Sequence, residues 1–229
     1  MKRRFGTAPA HGTAEATRLA WWLVLVGVLA VLGYATRFTS GKPDPQVLYE
    51  WSSVAGAVIQ DAIVLVLVLW IAGFSTARLA LRQPVSWRLA AKLVGAAILA
   101  IYAFELVYTA IVNPGNEQGL TPSHWEPHHW VAYVANAVVI CTWVPFVEEL
   151  TFRGLGYTLL EPFGRWPAIV VVGIVFGLAH GLVLDFPIIA VFGMTLAWIR
   201  SRVDSVVPGM VVHGLFNAVA LIAAVTIHN

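Results

Sequence analysis

Long apolar runs alternate with short polar segments along almost the whole chain. The runs lie at residues 19–34, 51–80, 89–112, 131–160, 166–184, 187–199 and 206–227. Since about 20 apolar residues cross a bilayer as a helix, most of these runs are long enough to span it. The sixth run is short, so we expect a tilted or re-entrant segment there. The pattern predicts an all-α fold, a polytopic membrane helix bundle with about seven transmembrane helices.

The first 17 residues are polar, and we predict a mobile cytoplasmic tail at 1–17 that precedes a single transmembrane bundle at 18–229. The first apolar run follows a basic start, as the apolar core of a signal peptide does. Its length and the lack of a small-residue cleavage site favour an uncleaved first helix. Pro145 lies inside the fourth run, and we expect it to kink that helix.

Composition favours a membrane protein over a soluble one. Hydrophobic residues make up 59% of the 229 residues and charged residues 11%, whereas about 25% of a soluble domain is charged. The formal net charge is only +2 and the arginines are scattered over short loops, which excludes a nucleic-acid-binding surface. The one cysteine, Cys141, cannot form an intrachain disulfide, and we predict that it is a small buried hydrophobe.

Basic residues predict the orientation of the chain in the membrane. Alternate polar segments hold Lys2, Arg3, Arg4 and Arg18; then Arg78, Arg82, Arg88 and Lys92; then Arg165; and finally Arg200 and Arg202. The intervening segments hold few, with none at 113–130. The positive-inside rule therefore places the N-terminus in the cytoplasm and the C-terminus outside, which requires an odd number of spans. Abundant Ala, Val, Leu and Trp fit the bacterial inner membrane, where we expect the protein to reside.

Three ionisable residues lie inside the fourth apolar run. Glu148, Glu149 and Arg153 are costly at that depth unless they are paired or face a polar cavity, so they mark a candidate functional site. Glu149 and Arg153 are four residues apart on one helix face, in the favourable order for an ion pair. Glu148 is rotated by about 100° around the axis and is free to face another partner. The alternative is a buried ion-pair network with a purely structural role.

Two later apolar runs carry further polar pairs. Phe176 and His180 share one helix face, as do His213 and Asn217. Counted from the cytoplasmic helix ends at about 1.5 Å per residue, Glu148 and His180 lie at similar depth and His213 somewhat shallower. The three helices can therefore place these groups around one cavity. Taken singly, each has a simpler interpretation, such as a core histidine bonded to a backbone carbonyl or a hydrogen bond between helices.

A carboxylate, two imidazoles and a carboxamide around one cavity are sufficient for amide hydrolysis. A carboxylate removed from bulk water can take a proton from a water molecule, and a neighbouring histidine can hold that water. A second histidine and an asparagine can donate hydrogen bonds to the developing oxyanion. Zinc is an alternative, because two histidines and a glutamate can ligate it. The sequence contains no His-Glu-x-x-His helix that would favour zinc.

Three ordered motifs carry a resemblance to a known family. They read Glu-Glu-x-x-Phe-Arg, then Phe-x-x-x-His, then His-x-x-x-Asn, and their residues are Glu148, Glu149, Phe152, Arg153, Phe176, His180, His213 and Asn217. This pattern resembles the CAAX-protease and bacteriocin-processing family of intramembrane glutamic endopeptidases. The resemblance covers about 131–227, while the first three runs are similar only in being hydrophobic.

The resemblance implies an integral membrane endopeptidase that needs no cofactor. It assigns Glu148 as general base with help from His180, and His213 with Asn217 as the oxyanion hole. The supporting residues would be Glu149, Phe152, Arg153 and Phe176. Family substrates are membrane-associated peptides: prenylated CAAX tails, leader peptides of bacteriocin precursors and C-terminal sorting signals. The sequence does not choose among them. A scaffold or a proton-coupled transporter on the same fold is the non-enzymatic alternative.

Several other polar residues stay outside this assignment. Asp61 either lines the same cavity as the glutamates or caps or pairs locally. Glu105 is expected to be an interfacial or paired carboxylate. His124, His128 and His129 invite a metal interpretation, but we favour a solvated loop beside the membrane surface, because no cysteine accompanies them and Trp125 and Trp130 are typical of a membrane interface.

Overall fold

A computed structural model describes residues 10–40, 44, 46–115, 117–119, 122 and 125–226. Within these ranges the chain forms helices and no strands. The main helices are α1 (Ala10–Ser40), α2 (Trp51–Ala72), α3 (Trp87–Val112), α4 (Pro127–Phe163), α5 (Arg165–Ala179), α6 (Phe186–Val203) and α7 (Val207–Thr226). Six of them are long and apolar enough to cross a membrane, and α5 is shorter.

The predicted fold class, a polytopic helical membrane bundle, is confirmed. Large apolar side chains on α3 point away from the bundle, with exposed fractions of 75% for Leu99, 71% for Leu106 and 78% for Ile111, as expected of a helix face that meets lipid. The core is shared by distant helices, since Trp22 of α1 and Leu196 of α6 are both fully buried in it. The number of crossings and the orientation of the termini stay predictions.

Helix α1 begins earlier than predicted. Ala10–Ser40 is helical, so residues 10–17, assigned to the tail, form the first turns of α1. Glu15 explains part of this extension, because its carboxylate lies 3.0 Å from Arg78 and 3.6 Å from Arg18 and so ties this end of α1 to the segment after α2. The rest of the predicted tail, 1–9, lies outside the described residues.

Helix α2 ends earlier than predicted, at Ala72 instead of residue 80. Gly73 adopts the left-handed conformation, with a φ of 62°, and its N–H bonds to carbonyls of the last turn, which is a common way to end a helix. The apolar residues after it form a buried turn: Leu79 and Ala80 are almost inaccessible, and the Ala80 carbonyl accepts a bond from Val206 N–H. Because the residues after Ala72 are also apolar, the apolar run did not show where α2 ends.

The short helix is the fifth, not the sixth. Helix α5 has 15 residues and ends at Ala179, whereas α6 has 18 residues. Gly181, with a φ of 64°, turns the chain after α5. A Cβ on Gly181 would lie 2.3 Å from the carbonyl carbon of Gly33, so α1 packs backbone to backbone against this turn. The turn after His180 is thus fixed by the first helix of the chain.

Helix α4 is continuous over 37 residues but contains two wider, π-helical segments, Val139–Trp143 and Leu150–Gly156. The first precedes Pro145, which has no N–H to donate to the carbonyl four residues earlier, so the helical hydrogen-bond pattern is altered there, while the kink itself stays a prediction. The second includes Phe152 and Arg153 of the first motif. There the Thr151 carbonyl accepts a 2.9 Å hydrogen bond from the indole of Trp22 in α1. Such π segments are frequent at functional sites.

Candidate functional site

The three motifs meet at one cavity of about 260 Å³. Glu148 comes from α4 between the two π-helical segments, His180 from the residue after α5, and His213 and Asn217 from α7. The remaining wall is mostly apolar and includes Ile140, Val144, Phe176, Ile189, Phe192 and Phe216. Residues far apart in sequence are therefore brought together in a small, largely apolar chamber.

Glu148 faces two imidazoles. Its Oε2 lies 3.5 Å from Nε2 of His213, and its Oε1 lies 3.9 Å from Nε2 of His180. The side chains of Glu148 and His180 keep 22% and 27% of their surface exposed, whereas that of His213 keeps 5%. Among the described residues Glu148 Oε2 has no hydrogen-bond partner. Glu148 thus presents an uncommitted carboxylate oxygen inside the cavity.

The tautomer of His180 follows from its backbone contact. Nδ1 of His180 lies 2.8 Å from the carbonyl oxygen of Phe176. A carbonyl oxygen can only accept a hydrogen bond, so Nδ1 carries the proton in the neutral ring. Nε2 is then an acceptor, and it is the nitrogen nearest to Glu148. The site therefore places two acceptors, a carboxylate oxygen and an imidazole nitrogen, about one water molecule apart.

Glu149 is fully buried and connects Arg153 to His213. Its Oε1 accepts a 2.7 Å bond from Arg153 and lies 3.3 Å from Nδ1 of His213. The predicted ion pair at i, i+4 is therefore present, and it continues into the third motif. Gly209 of α7 makes room for the carboxylate, because a Cβ at that position would lie 2.5 Å from Glu149 Oε2. No pattern in the sequence singled out Gly209.

Phe176 is the packing centre of the site. The Arg153 guanidinium lies 4.0 Å from the centroid of its ring, a cation–π contact that partly compensates a buried charge. The ring also meets His180 edge-on at 4.6 Å between centroids and Phe152 edge-on at 5.0 Å. The two phenylalanines of the motifs thus pack against the ionisable groups, and Phe176 also forms part of the apolar wall of the first cavity.

Asn217 is anchored to the first π-helical segment. Its Nδ2 donates a 2.8 Å hydrogen bond to the carbonyl of Ile140, and its side chain lines the cavity. A carboxamide has two N–H groups, so one remains available to a ligand while the other fixes the orientation. The sequence placed Asn217 with His213 on one helix face, and the structure shows both of them at the same cavity wall.

A second cavity, of about 440 Å³, reaches Glu148 and His180 from the side of α1 and α2. Residues of α1, α2 and α4 line it, and its polar residues besides those two are Thr36, Gln60, Asp61 and Thr151. Of the two alternatives left open for Asp61, the structure favours the first in part: Asp61 shares this second cavity with Glu148, whereas Glu149 does not line it. The part played by α1 was not foreseen, since its apolar run gives no sign of which face meets the site.

The remaining flagged residues lie elsewhere. Glu105 lines a cavity of about 410 Å³ between α3 and α7, together with Tyr102 and Phe216. His128 and His129 are exposed in a short helical turn, and His124 lies outside the described residues. In the described part of the chain, no group of three or more His, Cys, Asp or Glu side chains is arranged to hold a metal ion. If zinc were bound, as in the alternative raised from the sequence, its ligands would be Glu148, His180 and His213.

A buried carboxylate ties the segment after α3 to the turn before α6. Glu117 accepts hydrogen bonds from the backbone N–H groups of Val183, Leu184 and Asp185 and pairs with Arg37 at 3.0 Å. Burial, and secondly the charge of Glu117, raise the pKa of Asp185. This contact fixes the segment that carries the adjacent Gln118, which lines the wall of the first cavity.

Comparison with known proteins agrees with the motifs. Residues 130–219 match a family model described as type II CAAX prenyl endopeptidase Rce1-like, and this range holds all three motifs. The match confirms the family resemblance inferred from the sequence. No curated protein and no solved structure matched the chain.

Proposed function

We propose, on the premise that residues 130–219 are a type II CAAX prenyl endopeptidase Rce1-like domain, that the protein is an intramembrane glutamic endopeptidase. The family match supports a multi-pass membrane protease, and the mechanism below is our inference from the site. The observation that carries it is the pairing of Glu148 with two imidazoles in an apolar cavity.

The geometry supports activation of a water molecule by Glu148 and His180. Their facing acceptor atoms are 3.9 Å apart, and a water that donates to two acceptors at about 2.8 Å each spans about 4 Å between them. Such a water gives both hydrogens to the protein and directs its lone pairs at the substrate. Glu148 then removes one proton as the water oxygen attacks the peptide carbonyl.

His213 and Asn217 are suited to stabilise the oxyanion that forms. Nδ1 of His213 lies against Glu149 and its Nε2 lies in the cavity beside Glu148, so an N–H on Nε2 would be directed at the oxygen of a bound carbonyl. The free N–H of Asn217 supplies a second donor. When the tetrahedral intermediate collapses, the C–N bond breaks and Glu148 returns its proton to the leaving nitrogen. The products are a carboxylic acid and an amine, so water is consumed and the enzyme is regenerated.

The substrate is proposed to be a membrane-associated peptide cleaved near a lipidated or membrane-embedded end. Apolar walls at Ile189, Phe192 and Phe216 favour apolar residues beside the scissile bond. Prenylated CAAX tails, leader peptides and C-terminal sorting signals all meet this description. From composition we propose that the protein acts in the bacterial inner membrane.

The test is cleavage of a peptide panel by purified protein in detergent and in liposomes. The panel contains prenylated CAAX peptides, the same peptides without lipid, leader peptides and sorting-signal peptides, with products identified by mass spectrometry. We expect one class to be cleaved at a single bond by the parent and not by His180→Ala. Retained cleavage in a metal chelator is expected. Loss in chelator with recovery on added zinc would replace the proposed mechanism by zinc catalysis. Equal cleavage by His180→Ala would refute the role of the histidine.

A further inference from the structure

Asp61 is a buried carboxylate outside all three motifs and outside the matched range 130–219. It lies midway along α2 with only 8% of its surface exposed, and its Oδ2 has no hydrogen-bond partner among the described residues. A buried polar atom without a partner is costly, and an ionised one more so. The side chain faces the second cavity, so its missing partner is expected to be a ligand there.

The second cavity extends along α1 and α2 and reaches the proposed catalytic pair, Glu148 and His180. Along α1 it extends from Leu29 to Thr36, which is about 10 Å. The end of the cavity at Thr36 is the one nearer to Ser40, the last residue of α1. Polar groups continue inward through Gln60 and Asp61 to Glu148 and His180. At about 30 Å³ per molecule, the volume of about 440 Å³ has room for several waters, and these side chains offer them hydrogen bonds.

Hydrolysis creates a need for such a passage. Each turnover consumes one water, and a peptide that occupies the first cavity covers Glu148 and His180 from that side. The second cavity reaches the same two residues from the side of α1 and α2, where the first cavity has no lining residues. We propose that the second cavity supplies the hydrolytic water and that Asp61 is the positioning residue that holds water in it. This inference rests on the proposed function.

The competing explanation for Asp61 is recognition of a cationic substrate group. The two differ in what they require of the side chain. Holding water needs hydrogen-bonding atoms, which an asparagine also has, whereas binding a cation needs the negative charge. Apolar residues, among them Leu29, Val64 and Phe152, make up much of the cavity wall, which fits small neutral water molecules better than a charged side chain.

Kinetics of Asp61→Asn and Asp61→Leu separate these explanations. With the cleaved peptide, we expect Asp61→Asn to keep kcat within about threefold of the parent. Asp61→Leu should lower kcat at least tenfold with KM within about twofold, since chemistry and not substrate binding is affected. Ile63→Ala, at a lipid-facing position of α2 with 57% exposure, is the control and should leave both constants unchanged. Equal damage by the two Asp61 variants, or an unchanged kcat in Asp61→Leu, would overturn the inference.

A second arm does not depend on activity. In a Cys141→Ala background, Val64→Cys places a thiol in the second cavity, while Val68→Cys places one a helical turn away on the same face, fully buried and outside the cavity. Hydroxyl radicals generated from water by X-ray footprinting should oxidise the first thiol and not the second, as read out by mass spectrometry. An unoxidised Val64→Cys would show that water does not reach the cavity and would overturn the inference. If the parent cleaves no peptide, the proposed function fails. The thiol experiment still shows in that case whether water enters the second cavity.

Discussion

Among the described residues, Glu149 carries the only negative charge at hydrogen-bond distance from the Arg153 guanidinium, and replacing it by glutamine removes that charge. Both side chains are completely buried, and the NH1–Oε1 distance is 2.7 Å. Two further nitrogens of Arg153 have no partner within the described structure. After Glu149→Gln, the guanidinium stays buried without a paired negative charge, and its remaining contacts are a neutral amide oxygen and the face of the Phe176 ring.

The expected cost is large because one partner of a buried pair remains charged. Removing one member of such a pair typically costs about 3–5 kcal/mol of unfolding free energy. For a chain of this size, that corresponds to a fall in Tm of about 6–20 °C. The double variant Glu149→Gln, Arg153→Met removes the stranded charge as well, so we expect it to be more stable than Glu149→Gln alone. The difference between the change in unfolding free energy of the double variant and the sum of the changes for Glu149→Gln and Arg153→Met measures the coupling free energy of the pair.

The assay is thermal unfolding of the purified protein in detergent. The pair of Glu15 with Arg78 is the matched control, because its distance is 3.0 Å but 48% and 35% of the two side-chain surfaces are exposed. Glu15→Gln should cost about 0–1 kcal/mol. A loss below about 1 kcal/mol for Glu149→Gln, or a double variant no more stable than the sum of the single changes predicts, would refute the assignment of a buried ion pair.

Three further predictions follow from the site. Asn217→Ala should lower kcat by about 10²–10³, the usual effect of losing one oxyanion donor, in the peptide cleavage assay; an unchanged kcat would remove Asn217 from the oxyanion hole. Gly209→Ala places a Cβ 2.5 Å from the Glu149 carboxylate, so we expect a loss of about 1–3 kcal/mol in thermal unfolding together with reduced cleavage. Burial and the charge of Glu117 raise the pKa of Asp185 in the folded protein. Ionisation of Asp185 therefore opposes folding. The free energy of unfolding should fall as the pH rises from the pKa of Asp185 in the unfolded chain through its higher pKa in the folded protein. Asp185→Asn should therefore raise Tm at pH 8 and not at a pH below both values, and a Tm unchanged at pH 8 would contradict this sign.

The helices and the motif residues were predictable because their signals are local. An apolar run long enough to cross a bilayer specifies a helix almost regardless of its partners, since an unpaired backbone group in lipid is too costly. Within such a run, a charged residue is rare enough to mark a site, and the i, i+4 spacing of Glu149 and Arg153 predicted their contact. Helix ends were less predictable, as α2 shows, because apolar residues also fill buried turns.

Contacts between distant helices were not predictable from one sequence. Trp22 bonds to Thr151, which lies 129 positions later, and Gly33 packs against Gly181. In an apolar helix every face is hydrophobic, so periodicity does not reveal which face meets the protein and which meets lipid. The same ambiguity left Asp61 open, since one carboxylate in an apolar run does not disclose its partner.

The role of Glu148 as the base that activates water is the central claim of the proposed mechanism. The most direct measurement is kcat of Glu148→Gln relative to the parent, in the presence of chelator, with Tm measured in parallel. The glutamine preserves shape but cannot take a proton, so kcat is predicted to fall by at least about 10²-fold with Tm little changed. Cleavage by Glu148→Gln at the parental rate would contradict the account.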